Sequence, residues 1–221
     1  MFSNKISKFI LAAVIVGLFV AMPSLGWADT ITFNLEGQAL TGSTTSISDT
    51  QSGLTLTIHR QDNSSFSLDN LSSFVPAFGS RTLGNFNGPF TAPGATLILN
   101  FSAPITSGST SFGDFDADDD GPVTLTAFSG LNGGGSNLGS SSVAYPANLD
   151  FGTQGNAAIR TLTVNAAGIQ SLTILSGGPF PGSLFFDNIV GVTTPTVPEP
   201  ASFLLLGSGL VALVVSRRFR K

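Results

Sequence analysis

Between residues 29 and 195 apolar and polar side chains alternate over short distances. The run Gly53-Leu-Thr-Leu-Thr-Ile-His59 puts Leu54, Leu56 and Ile58 on one face of an extended chain and threonines on the other, the period-two pattern of a half-buried strand. Similar segments predict strands at Thr30–Leu35, Thr96–Phe101, Val123–Phe128, Ile159–Val164, Ile169–Leu175 and Leu184–Val192. Between them stand Gly, Asn, Ser and Pro clusters such as Leu131-Asn-Gly-Gly-Gly-Ser-Asn137 and Ser176-Gly-Gly-Pro-Phe-Pro-Gly182, which is turn chemistry. Nothing in this part sustains a helical period. Roughly eight to ten short strands joined this way predict an all-β, antiparallel two-sheet sandwich of the jelly-roll kind, like lectins and carbohydrate-binding modules.

The pattern changes at both ends. Lys5 and Lys8 precede an apolar stretch from Phe9 to Ala21, followed by Pro23 and then Gly26-Trp27-Ala28. A charged start, an apolar middle and small residues at −3 and −1 predict a secretory signal peptide over 1–28, cut after Ala28 by signal peptidase once the general secretion machinery has exported the chain. At the other end Thr193 to Val197 reads as a short linker stiffened by proline. Val197-Pro198-Glu199-Pro200 then leads into an apolar run over 201–216, which stops at Arg217-Arg218-Phe219-Arg220-Lys221. The prolines hold the residues around Glu199 extended and keep a helix from starting before Ala201. About 15 apolar residues at ~1.5 Å each give a helix of roughly 22 Å, short of a ~30 Å hydrocarbon core. This predicts a transmembrane helix that is marginal as a permanent anchor, with Arg217, Arg218, Arg220 and Lys221 holding the C-terminus inside.

Those three parts, in that order and spacing, resemble the PEP-CTERM sorting signal of Gram-negative bacteria, here over 198–221. The resemblance implies a partner, the membrane-embedded protease-transpeptidase exosortase, which would read the motif and remove the anchor. It also implies a route: transient anchoring in the inner membrane, then delivery to the cell surface or to an extracellular polysaccharide matrix. It covers about 25 residues and implies processing rather than an activity for the 29–192 domain.

Composition sharpens this picture. Between Asp29 and Pro195 there are twelve acidic residues and three arginines, a net charge of −9, and no lysine stands between Lys8 and Lys221. Such a surface repels phosphate backbones, which excludes nucleic acid as a partner. With no cysteine, disulfides and thiol chemistry are excluded. Nineteen phenylalanines against one tyrosine and one tryptophan suit a Phe-filled core.

The sharpest internal feature is Gly113-Asp-Phe-Asp-Ala-Asp-Asp-Asp-Gly121, where the aspartates repel one another unless a cation or water separates them. Asp114, Asp116, Asp118 and Asp120 offer the oxygen ligands that calcium takes, so calcium is a candidate cofactor; a solvated acidic loop is the plain alternative. From Ser111 to Ile189 the chain also resembles jelly-roll modules of sorting-tagged surface proteins, an acidic loop followed late by a Phe-Asp-Asn segment. That resemblance would bring Asp187, in Phe186-Asp187-Asn188-Ile189, beside the acidic loop as a further ligand. Sugar binding would need exposed rings, for which Tyr145, Phe78, Phe86 and Phe90 are the candidates. No catalytic site is read: His59 is alone on the polar face of its strand, Glu36 is the single glutamate of the domain, and no nucleophile elbow, zinc helix or phosphate loop occurs. The expectation is a non-catalytic exported surface or matrix protein, with a calcium-dependent carbohydrate-binding module and a glycan hydrolase as alternatives.

Overall fold

A computed structural model describes residues 27–84, 96–114, 121–146, 148–177 and 184–195. The chain divides into two compact units, Asp29–Thr194 and a second made of Met1–Ala28 with Pro195–Lys221. All the strands described below belong to Asp29–Thr194.

Eleven strands form among the described residues: β1 (Thr30–Phe33), β2 (Thr41–Thr44), β3 (Ser46–Gln51), β4 (Leu54–Arg60), β5 (Phe66–Asp69), β6 (Thr82–Gly84), β7 (Thr96–Gly113), β8 (Val123–Phe128), β9 (Asn137–Val143), β10 (Arg160–Ser176) and β11 (Phe185–Thr193). Among the same residues, helical structure is confined to Phe151–Gln154 and to 3-10 turns at Pro76–Phe78, Leu131–Gly133 and Gly155–Ala158. The domain is thus mostly antiparallel β-sheet with few helices.

The strands join in one ladder ordered β2-β5-β6-β11-β7-β10-β8-β9, with β1 added on β11, β4 on β7 and β3 on β4. The long strands β7 and β10 carry different partners on their two halves. They pair with each other from Phe112↔Arg160 to Thr96↔Leu175. The first half of β7 carries β4 on its other edge, at Leu97–Phe101. Its second half carries β11, at Ile105–Gly113. Likewise the second half of β10 carries β8. A register break between Asn165 and Ile169, with Gly168 at φ 81°, marks a bulge where the two halves of β10 meet.

The core lies between these halves. Leu54, Leu56 and Ile58 of β4, Leu97, Leu99 and Phe101 of β7, and Val123, Leu125 and Ala127 of β8 are buried from one side. Phe33, Phe112, Leu162 and Ile189 are buried from the other. The two halves meet in the core where the Phe33 and Phe101 rings lie 6.4 Å apart, and where a Cβ on Gly191 would be in ordinary contact with Leu54 and Phe101 at 3.4 Å.

The structure corrects two expectations. The segments read as separate strands at Ile159–Val164 and Ile169–Leu175 belong to one strand of 17 residues, because Asn165 to Gly168 is a bulge rather than a turn. The strand read as Thr96–Phe101 runs on to Gly113 through Pro104. Pro104 falls between Phe101 and Ile105, where the rungs to β4 have ended and the register with β10 shifts, so its missing N–H costs little. Among the described residues no helix is long and apolar enough to cross a membrane. The expected signal peptide (apart from Trp27 and Ala28) and the expected anchor over 201–216 lie outside the described residues.

Candidate functional site

Asp114 stands one residue beyond the end of β7, at the head of the acidic segment, and is 2% exposed. Its N–H donates to the Tyr145 hydroxyl at 3.1 Å, and its carbonyl accepts from the Phe151 N–H at 2.8 Å. Tyr145 packs on Phe112 with ring centroids 5.8 Å apart, so the tyrosine anchors the start of the acidic segment from inside the core.

Asp187 lies on β11 directly opposite Ser111 of β7. Core-facing Phe112 and Phe186 face each other in the same ladder, so alternation turns Ser111 and Asp187 to the outer side of the sheet. Asp187 is nevertheless 1% exposed. Two chain segments, 71–80 and 146–158, cover this part of the outer side. Gly113 has no room for a Cβ because the Phe151 ring occupies that space, and Phe151 meets Phe78 edge-on at 5.3 Å. Asn188, forced to φ 49° by the bulge after Asp187, donates through Nδ2 to the Ala77 carbonyl at 2.9 Å. The Ala77 N–H in turn donates to Asn156 Oδ1 at 3.1 Å. This chain of amides ties β11 to both covering segments.

Burial pushes the Asp187 carboxyl up to about 8, against the opposing pull of the Asn188 N–H, which donates to Oδ1 at 2.6 Å; the charge of nearby Glu36 adds to the rise. Glu36 is held below its ordinary value chiefly by the Ser80 hydroxyl, which donates at 2.5 Å; slight burial opposes this, and the Ser80 N–H and Arg81 reinforce it. The two carboxyls are thus shifted in opposite directions, Glu36 down and Asp187 up.

Of the expected calcium ligands, Asp116, Asp118 and Asp120 lie outside the described residues. Asp114 and Asp187 are on neighbouring chain segments but three rungs apart in register, ~10 Å along the strands. Among the described residues no group of three or more His, Cys, Asp or Glu side chains could hold a metal. The structure also corrects the aromatic candidates for sugar stacking: Tyr145 is 2% and Phe78 1% exposed, both used by the core, while Phe86 and Phe90 lie outside the described residues. His59 is half-buried on a rung between Ser46 and Ile98, and its neighbour Arg60 is buried and paired with Asp62 at 3.0 Å.

Of the processing sites read from the sequence, Ala28 is exposed and unstructured, one residue before the first backbone pair of the domain. Val197, Pro198, Glu199, Pro200 and the basic tail Arg217, Arg218, Arg220, Lys221 lie outside the described residues. What sequence reasoning missed is the covering layer; Gly113 and the Asn188–Ala77–Asn156 ties carry no periodic signal, and only the pile-up of Phe74, Phe78 and Phe151 in loop-like sequence points to it.

Residues 196–221 match the PEP-CTERM protein-sorting motif. The chain carries that sorting signal. Among curated proteins none matches the chain. Among solved structures, it is similar at a TM-score of 0.42 and 11% identity to the K2 cleaved adhesin domain of Lys-gingipain, over 75% of this chain and 100% of that one. The K3 domain from Porphyromonas gingivalis W83 gives 0.36 and 16% over 52% and 75%. The K1 domain from the same organism gives 0.33 and 11% over 75% and 99%. Scores at this level do not establish a shared topology.

Proposed function

We propose that this chain is an exported, non-catalytic protein of the cell surface or extracellular matrix. It is held briefly in the inner membrane by its C-terminal segment and released when exosortase severs that segment. The observation that carries the reading is the sorting motif at 196–221, placed directly after a compact unit that ends at Thr194. The β-domain, for which a jelly-roll winding remains our proposal, serves a structural or adhesive role in a polysaccharide layer. His59, the one histidine of the sequence, has no second histidine with which to build a metal or acid–base pair, and this supports a role without catalysis.

The test is to replace Pro198, Glu199 and Pro200 with alanine in the producing cell. Full-length protein should then accumulate in the inner membrane, whereas unchanged release would overturn the reading. Heating the purified domain with and without EDTA separates this role from a calcium-dependent carbohydrate module. The same Tm is expected in both; a drop with EDTA would move the assignment to the calcium module.

A further inference from the structure

The loop joining β8 to β9 reaches back across β10 to β7 and is held there by one side chain from each. Asn100 of β7 and Ser171 of β10 stand opposite each other in the ladder. Asn100 Oδ1 accepts from the Asn132 N–H at 2.8 Å, and Asn100 Nδ2 donates to Asn132 Oδ1 at 2.8 Å. One amide thus grips both the backbone and the side chain of Asn132. Ser171, which is fully buried, accepts from the Gly133 N–H at 3.0 Å and donates to the Gly130 carbonyl at 2.6 Å.

The geometry of this loop dictates its sequence. Asn132 sits at φ 59° and ψ 33°, a left-handed conformation that Asn tolerates better than most residues. Gly133 follows at φ 69°, where a Cβ would come within 3.0 Å of the Thr173 methyl. The fold therefore requires Asn followed by Gly, and that pair carries a chemical liability. Glycine, lacking a side chain, puts the least obstruction in the way of its own amide nitrogen attacking the preceding side-chain carbonyl.

We propose that Asn132 is a latent deamidation site, kept silent by the Asn100 and Ser171 clamp while the loop lies on the sheet. In the reaction, base removes the Gly133 amide proton and the nitrogen attacks Asn132 Cγ. The Cγ–Nδ2 bond breaks and ammonia leaves. Water then opens the succinimide at either carbonyl to give aspartate or isoaspartate, a gain of about 1 Da. The clamp opposes both partners of the first step. The Gly133 N–H is engaged by Ser171, and Asn132 Oδ1 is held at Asn100, which turns the carbonyl towards β7. Asn132 is exposed to water, so what conversion awaits is local opening of the loop. Isoaspartate adds a carbon to the backbone, so a loop converted to it no longer fits both clamp residues. The change is one-way and marks chains in which the loop has lifted.

The experiment is a timed incubation at neutral pH of protein purified from the producing cells, with the peptide holding Asn132 followed by mass. Folded parent should convert slowly, and parent in denaturant much faster. Asn100→Ala removes two hydrogen bonds and should speed conversion in the folded chain by roughly ten- to a hundredfold. Ser171→Ala, which frees the Gly133 N–H, should act in the same direction. Gly113→Ala lowers stability at the Phe151 ring, away from this loop, and should leave the rate at the parent's value. Folded parent that converts as fast as denatured parent would overturn the proposal, as would clamp variants that convert at the parent's rate. A Gly113→Ala chain as fast as Asn100→Ala would also overturn it, because protection would then belong to global stability. If Asn100→Ala does not fold, Ser171→Ala and the comparison of folded with denatured parent decide the matter.

Discussion

Asp187 brings a pH dependence of its own to the folded chain. Its carboxyl titrates near 8 in the folded chain against an ordinary value of 3.8, so between those values the folded state holds a proton that the unfolded state has lost. The stability that Asp187 contributes is therefore fully present below about 4 and is lost as pH rises through about 8, by at most ~1.4 kcal/mol per pH unit, while Asp62, held down to about 2, and Glu36, also lowered, contribute with the opposite sign at acid pH. Asp187→Asn keeps the acceptor for the Asn188 N–H and removes the titration. Denaturant unfolding at pH 5 and pH 8 should show a smaller difference for the variant than for the parent; equal differences would place the titration elsewhere. Gly113→Ala tests the covering layer, since the new methyl meets the Phe151 ring. It should cost about 1–3 kcal/mol, more than a methyl at an open strand position.

At the scale of the element, the long strands decide the architecture. A Cβ on Gly168 would meet nothing within 4 Å, so Gly168→Ala costs only its backbone conformation at φ 81°. A loss of ~1–2 kcal/mol is expected, and no loss would mean the bulge is not held as described. Phe101→Ala, at the contact between layers, should cost ~3–5 kcal/mol in denaturant unfolding. These elements also show what is legible in the sequence. Val123–Phe128 and the Leu54, Leu56, Ile58 face can be read because one side is buried and the other wet. Strands such as Asn137–Val143 and Thr41–Thr44 cannot, because edge positions rich in Ser, Gly and Thr have no apolar stripe to alternate. The bulge in β10 reads as a break between two strands, since Asn165-Ala-Ala-Gly168 is indistinguishable from a turn until its neighbours in β7 are known. The burial of Asp187 is not legible for a related reason: the residues that cover it, such as Ala77 and Phe151, are far away in sequence.

Across the whole molecule charge and processing belong together. On the outer side of β1, β11, β7 and β10, apart from the covered Asp187, stand uncharged residues such as Thr30, Thr32, Val190, Val192, Ser107, Ser109, Ser111, Thr161, Thr163 and Asn165, while the described acids lie mostly in loops and at strand ends. The lysines are Lys5, Lys8 and Lys221, all in the segments assigned to removal. A correctly processed chain therefore has a single primary amine, at Asp29. An amine-reactive label should attach once, at that residue; a second label would reveal a retained end.

The decisive measurement is the intact mass of protein shed from the producing cells. The mass expected is that of a chain that starts at Asp29 and lacks everything from Phe203 onwards. A shed chain that still ends at Lys221 would contradict the assignment of the C-terminal segment as a severed tether.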